Sequence, residues 1–303
     1  MSAASSSPHS PLAGPSPRTL ARRRLRAPLA MLALPVAFFA AFFVAPLAVV
    51  LIASFTRIAA NGATIVTLAN YTRVLADQYH WSVILVTFRI ATASTLLCVV
   101  LGYPLAWYLV RIVRWRAWRR LCVVLLVVPM FTSNIVRSFG WMVLLGRNGL
   151  VNQTLMWAEA IERPVRFLGT ETGILIGMVY VLLPFVVLAV GNALAQVDPA
   201  LEHASADLGA TPAETFRYVI FPLTLPGVVA GTIMTFTLAV SAYVTPALLS
   251  GGRVSVLSML IYQQYSATFD FHYGGALSVV LLALTLALIG VTSRIGETRG
   301  KAR

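Results

Sequence analysis

Apolar residues in this chain come in long blocks, not with the 3.6-residue stripe of an amphipathic helix or the alternation of a half-buried strand. Charged residues are absent from 29–56, 90–110, 121–136, 172–197, 218–252 and 271–293. A helix needs about 20 apolar residues to cross a bilayer. The third gap is short, but its apolar run resumes past Arg137 to Leu145. The second is expected to begin near Trp81, with Arg89 inside it. The pattern predicts spans at about 28–56, 82–110, 121–145, 172–196, 217–249 and 273–293. Backbone groups in hydrocarbon must be bonded internally, and barrel strands are shorter and alternate. The expected fold is therefore an all-α membrane bundle.

Composition agrees with that reading. Of 303 residues, 58% are hydrophobic and 11% charged, which excludes an ordinary soluble domain. The net charge of +13 raises the question of nucleic acid, but the basic residues gather at alternate ends of the spans. Arg18, Arg22, Arg23, Arg24 and Arg26 precede the first. Arg111, Arg114, Arg116, Arg119 and Arg120 lie between the second and third, Arg217 opens the fifth, and Arg294, Arg299, Lys301 and Arg303 follow the sixth. This positive-inside bias predicts cytoplasmic termini and argues against a nucleic-acid partner. Trp107, Tyr108, Trp115 and Trp118 suit the headgroup zone. Residues 1–27 read as a disordered basic tail and 294–303 as a second tail. The first apolar run is too long for a signal peptide. Cys98 and Cys122 fall in apolar runs and read as buried free thiols.

One polar stretch between spans is strongly patterned. Asp198-Pro199 is a cap followed by a proline suited to a first helical position. Gly209 supplies a left-handed stop. Thr211-Pro212-Ala213-Glu214 restarts the chain with a capping box. The loop 198–216 therefore predicts a short helix over 199–208, a glycine turn, and a recapped entry to the fifth span. Leu201, Ala204, Ser205 and Leu208 share one face of the short helix, and Glu202, His203 and Asp207 lie around the others. Asp207 opposes the helix dipole, so a cation such as Arg217 or one on a partner is expected near it.

This stretch resembles the coupling loop of ABC-importer permeases, a pattern close to E-A-A-x-x-x-G and then, after about nine residues, I-x-L-P. Here it reads His203-Ala204-Ser205-Ala206-Asp207-Leu208-Gly209, then Ile220-Phe221-Pro222, with Phe216, Pro226-Gly227 and Gly231 also matching. His203 stands where the motif has Glu, Ser205 where it has its second Ala, and Phe221 where it has Leu; Glu202, one place earlier, offers a carboxylate. The resemblance covers roughly 80–293 and is nearest the spermidine/putrescine branch through Asn148-Gly149-Leu150-Val151-Asn152, Tyr180-Val181-Leu182-Leu183-Pro184-Phe185, Tyr243-Val244-Thr245-Pro246-Ala247-Leu248-Leu249 and Gly274-Gly275-Ala276. It implies a six-helix type I importer transmembrane domain over 82–293 in a bacterial inner membrane, importing polyamines. The implied partners are an ABC ATPase dimer that uses ATP, a second permease subunit forming a heterodimer, a periplasmic substrate-binding protein, and membrane lipid. Glu202, His203, Ala204, Ser205, Asp207, Leu208 and Gly209 would contact the ATPase.

The residues themselves add constraints. No Gly-x-x-x-x-Gly-Lys-Ser/Thr loop is present, so this chain is not expected to hydrolyse ATP or to bind a cofactor of its own. His9, His80, His203 and His272 lack metal-ligand spacing, and no hydrolase motif occurs. Arg137, Glu171, Tyr180, Tyr243 and Asp270 are candidates for the substrate path: an intramembrane charge, rim carboxylates, and rings able to meet a cation. Arg137 is expected to pair with Glu171 near the outer face, with snorkelling as the alternative. Two alternatives stand: an importer of another solute (ferric iron, phosphonate or opine) and an ion-coupled secondary transporter, which would need intramembrane carboxylates and paired repeats.

Overall fold

The computed structural model describes residues 32–59 and 63–301, with side chains as far as Val291. The basic tail 1–27, the start of the first span at 28–31 and residues 60–62 lie outside the described residues, as do the side chains of the last basic group. The chain divides into two units, one ending at Ile52 and one beginning at Ala53.

The first unit carries α1, Leu32–Ser54, which runs into the second. Pro46 has no N–H and crowds the carbonyl four residues back. The preceding turn, Ala40–Val44, answers by widening into a π-turn in which Ala45 N donates to Ala40 O.

In the second unit three long helices form the centre: α3 (Gln78–Ile112), α7 (Glu171–Gln196) and α9 (Pro212–Ser241). Cys98, Ile174, Val186, Val190 and Leu194 are fully buried between them. Small residues allow the close approach, as expected where lipid tails remove the hydrophobic drive. A methyl group at Gly227 of α9 would run into Ala193 Cβ and meet Ala189 O at 3.0 Å. A second apolar cluster, with Val74, Ile84, Leu257, Tyr273 and Leu277, joins α2 (Ala69–Ala76), α3, α11 (Leu257–Gln263) and α12 (Phe271–Lys301).

The connection after α1 holds more structure than the expected loop. Strands β1 (Thr56–Ile58) and β2 (Thr64–Val66) pair antiparallel, with Arg57 opposite Ile65. Asn70 Nδ2 donates to Ser54 O at 3.1 Å and Thr56 O at 3.0 Å, fixing α2 beneath the hairpin. Two of the scattered histidines are structural: His80 Nε2 meets Tyr273 Oη at 2.8 Å, and His272 Nδ1 meets Thr56 Oγ1 at 2.8 Å. Cys98 is buried and free as expected, whereas Cys122 is only half-buried.

Two expected spans are broken. The third consists of α4 (Arg116–Phe131) and α5 (Asn134–Leu144), bent by 105°. Pro129 cannot continue the α ladder, the chain tightens into a 3₁₀ turn, Thr132 is extended, and Ser133 caps α5 by accepting from Ile135 N. The fifth helix begins earlier than expected, at Pro212, and stops at Ser241; α10 (Val244–Leu249) follows. Pro246 has no N–H for the carbonyl of Ala242, which accepts instead from Ser258 Oγ at 2.7 Å. The two breaks meet where α10 packs on α5 and Ser138 Oγ lies 3.1 Å from Thr245 Oγ1. The loop 146–170 carries a further helix, α6 (Leu150–Trp157).

Gly227→Ala should lower the thermal midpoint of the purified protein in detergent, at a cost of about 1–3 kcal/mol from overpacking. Gly140→Ala, where a methyl meets nothing within 4 Å in mid-helix, should hold or raise it.

Candidate functional site: the capped loop between α7 and α9

The loop folds as its local chemistry dictates. Asp198 Oδ1 accepts from Ala200 N at 2.9 Å, Pro199 takes the first helical position, and α8 runs Pro199–Asp207. Gly209 stands at φ +84°, where a Cβ is strained. Gly209 N donates to Ala206 O at 2.9 Å and Ala210 N to Ser205 O at 3.1 Å, the paired bonds of a Schellman stop. Thr211 N then donates to Glu214 Oε2 at 2.8 Å while Glu214 N donates to Thr211 Oγ1 at 3.3 Å, closing the capping box. Pro222 again follows a π-turn, Phe216–Ile220, as Pro46 does in α1.

The faces of α8 are distributed differently from expectation. Leu208 is 89% exposed, and Leu201, His203, Ala204 and Asp207 are also exposed. The side turned to the bundle carries Ser205, whose Oγ lies 2.9 Å from Thr215 Oγ1, and Glu202, whose Oε1 lies 2.9 Å from an Arg111 guanidinium nitrogen. Arg217 does not offset Asp207; its guanidinium lies over the Tyr218 ring, 5.9 Å from the centroid. Asp207 has no ion pair among the described residues. A cleft of about 450 Å³ beside Leu201 and Asp198 opens between the end of α7 and the start of α9.

The candidate path residues are not gathered at one point. Glu171, at the start of α7, pairs with Arg89 of α3, not with Arg137. The bend before α5 turns Arg137 back onto Asn134 Oδ1 in the same helical turn. Tyr180 meets Trp141 edge-on at 5.3 Å, and Tyr243 stacks on Tyr262 at 4.3 Å. Asp270 accepts from Tyr273 N at 3.0 Å and so caps α12. Trp141 and Tyr262 had no local signal in the sequence; the breaks bring them to their partners. At the Glu171 end of α7, opposite the capped loop, a cavity of about 680 Å³ is lined by Arg147, Arg166 and Arg253 among others.

Residues 98–296 match the family described as binding-protein-dependent transport system inner membrane component. The chain belongs to this family. It is an inner-membrane permease of binding-protein-dependent transport. The permease is 35% identical over 215 residues to the spermidine/putrescine transport system permease protein PotB of Escherichia coli K12, covering 71% of this chain and 77% of that one. It is 32% identical to the PotB protein of Haemophilus influenzae, over 77% of this chain and 80% of the relative. The inner membrane ABC transporter permease protein YdcU of Escherichia coli K12 is 33% identical over 76% of each chain. Among solved structures, a bacterial ABC transporter involved in import of the acidic polysaccharide alginate superposes with a TM-score of 0.76 at 16% identity, over 91% of this chain and 96% of that one. The MetNI methionine ABC transporter gives 0.52 at 19% identity, over 75% and 98%. These likenesses show the ABC-importer transmembrane fold.

Thr211→Ala removes the cap, at a cost of about 1 kcal/mol. Hydrogen exchange of the amides of 213–216 in the permease should rise severalfold, while the α7 core amides stay unchanged.

Proposed function

We propose that this permease carries polyamines of the spermidine/putrescine class, delivered by a periplasmic binding protein and driven by a separate ABC ATPase dimer. The observation that carries the substrate is the 35% identity to a protein named for spermidine/putrescine transport, spread over 71% of the chain. The substrate path includes Glu171, where a substrate ammonium competes with Arg89, and the rings of Tyr180 and Tyr243, which offer cation–π faces; Arg137 and Asp270 flank it. The binding protein docks on the end that holds the arginine-lined cavity. A second reading, an importer of another solute, is favoured by 25% identity to a probable sulfate transport system permease protein cysT of Helicosporidium.

The ATPase docks on α8, through His203, Ala204, Asp207 and Leu208, with Gly209 fixing the turn. The exposure of Leu208 at the tip of a rigidly capped helix supports this. ATP is used by the partner, and this chain binds no cofactor. Closure of the ATPases moves the coupling helices, and the bundle rocks between inward-open and outward-open states. Arg111, in the last turn of α3 where the basic segment begins, touches α8, so the arginine-rich end and the docking end coincide. That supports cytoplasmic docking and cytoplasmic termini. A second permease subunit completes a heterodimer in the lipid bilayer, with no nucleic-acid partner.

Calorimetry of the cognate binding protein should show binding of spermidine or putrescine but not of sulfate; affinity for sulfate and for neither polyamine overturns the substrate. Gly209→Asp, which strains the turn and adds charge, should abolish co-purification of the ATPase and reduce uptake at least tenfold. Unchanged co-purification and uptake would exclude docking at α8.

A further inference from the structure

Glu202 offered a carboxylate to the coupling motif, but it is turned away from the docking face. Arg111 lies in the final π-turn of α3, Tyr108–Ile112. Its guanidinium donates to Val197 O at 3.1 Å and Leu194 O at 3.4 Å, carbonyls at the end of α7. The same nitrogen stands 2.9 Å from Glu202 Oε1. The Arg111 and Glu202 side chains are 17% and 31% exposed. Electrostatics favours each contact separately. The end of a helix carries negative partial charge that attracts a guanidinium, and the first turn of a helix favours a carboxylate. Glu202 sits in the first turn of α8. No aligned hydrogen bond reaches its Oε1, so the pair is held by charge more than by geometry.

The side-chain hydrogen bond from α8 to the bundle, among the described residues, is Ser205 to Thr215. That link is uncharged and leads to α9, which α8 already joins through the chain. Arg111 is the polar connection of α8 to α3 and to the end of α7. We infer that the Arg111–Glu202 pair is the strut that passes a displacement of α8 to α3 and α7, both residues acting as positioning residues. Recognition of the ATPase is left to the exposed His203, Asp207 and Leu208. This rests on the docking of an ATPase at α8. It also explains how a chain with His203 at the motif's Glu position still couples: its neighbouring carboxylate serves inside the permease.

The test uses the complete transporter, co-expressed and reconstituted, with Glu202→Gln, Arg111→Gln, Arg111→Lys and the double variant Arg111→Gln/Glu202→Gln. Three quantities are read: ATPase co-purification, solute imported per ATP hydrolysed, and hydrogen exchange of the amides of 200–208. Each Gln variant should keep the ATPase bound, lower solute imported per ATP about tenfold, and raise exchange in α8. The double variant should match the worse single within about twofold, and Arg111→Lys, which keeps the charge, should retain at least half of the coupling. Unchanged coupling in the Gln variants, losses that multiply in the double variant, or an Arg111→Lys protein as impaired as Arg111→Gln would overturn the strut. Loss of ATPase binding in Glu202→Gln would overturn the division between strut and recognition. Leu208→Asp separates the underlying premise: it should release the ATPase, and retention there refutes docking at α8 whatever the strut variants do.

Discussion

A backbone in hydrocarbon must bond its own carbonyls, and the form of this permease follows from where prolines prevent that. Pro46 and Pro222 are each preceded by a π-turn that re-registers one bond. Pro129 tightens its turn and, with the Ser133 cap, throws α5 off the axis of α4. Pro246 frees the carbonyl of Ala242, and Ser258 takes it up. At the end of α7, Leu194 O accepts from Val197 N, and Arg111 donates to Val197 O and reaches Leu194 O as well. A side chain placed for that purpose then has its charge beside Glu202 of the next helix. The contact that closes α7 therefore also ties α8 to the bundle.

Different parts of the molecule were legible in the sequence to different degrees. The capped loop was readable almost residue by residue, because Asp198, Gly209, Thr211 and Glu214 act on neighbours within four positions. The apolar blocks gave the spanning helices for the same reason, since length and hydropathy are local properties. The breaks were not readable: Ser258 rescues Ala242 from 16 residues away, and Ser133 lay inside what looked like one apolar run. Arg89 and Arg137 show the same limit. Both were visible as charges in spans, but which of them meets Glu171 depends on the bend at Thr132. Arg111 was read only as one of a cluster of topological charges, and its role required three helix ends in one place.

Function was legible through the loop and indistinct along the path. The capped loop combines a hydrogen-bonded scaffold with exposed His203, Asp207 and Leu208, the arrangement expected of a surface that meets a partner. The path candidates are spread over an ion pair, a hydrogen bond from Arg137 to Asn134, two ring pairs and a helix cap. The proposed substrate accordingly rests on kinship, and the proposed docking on geometry.

The central claim is that α8 is the surface that meets the ATPase, at the end of the bundle opposite the Arg147–Arg166–Arg253 cavity. Photo-crosslinking tests it most directly. A benzophenone amino acid at Leu208, exposed at the tip of α8, should crosslink to the ATPase in the assembled transporter, and one at Trp157, 88% exposed on α6, should not. Crosslinking of the ATPase from Trp157 but not from Leu208 would contradict the account.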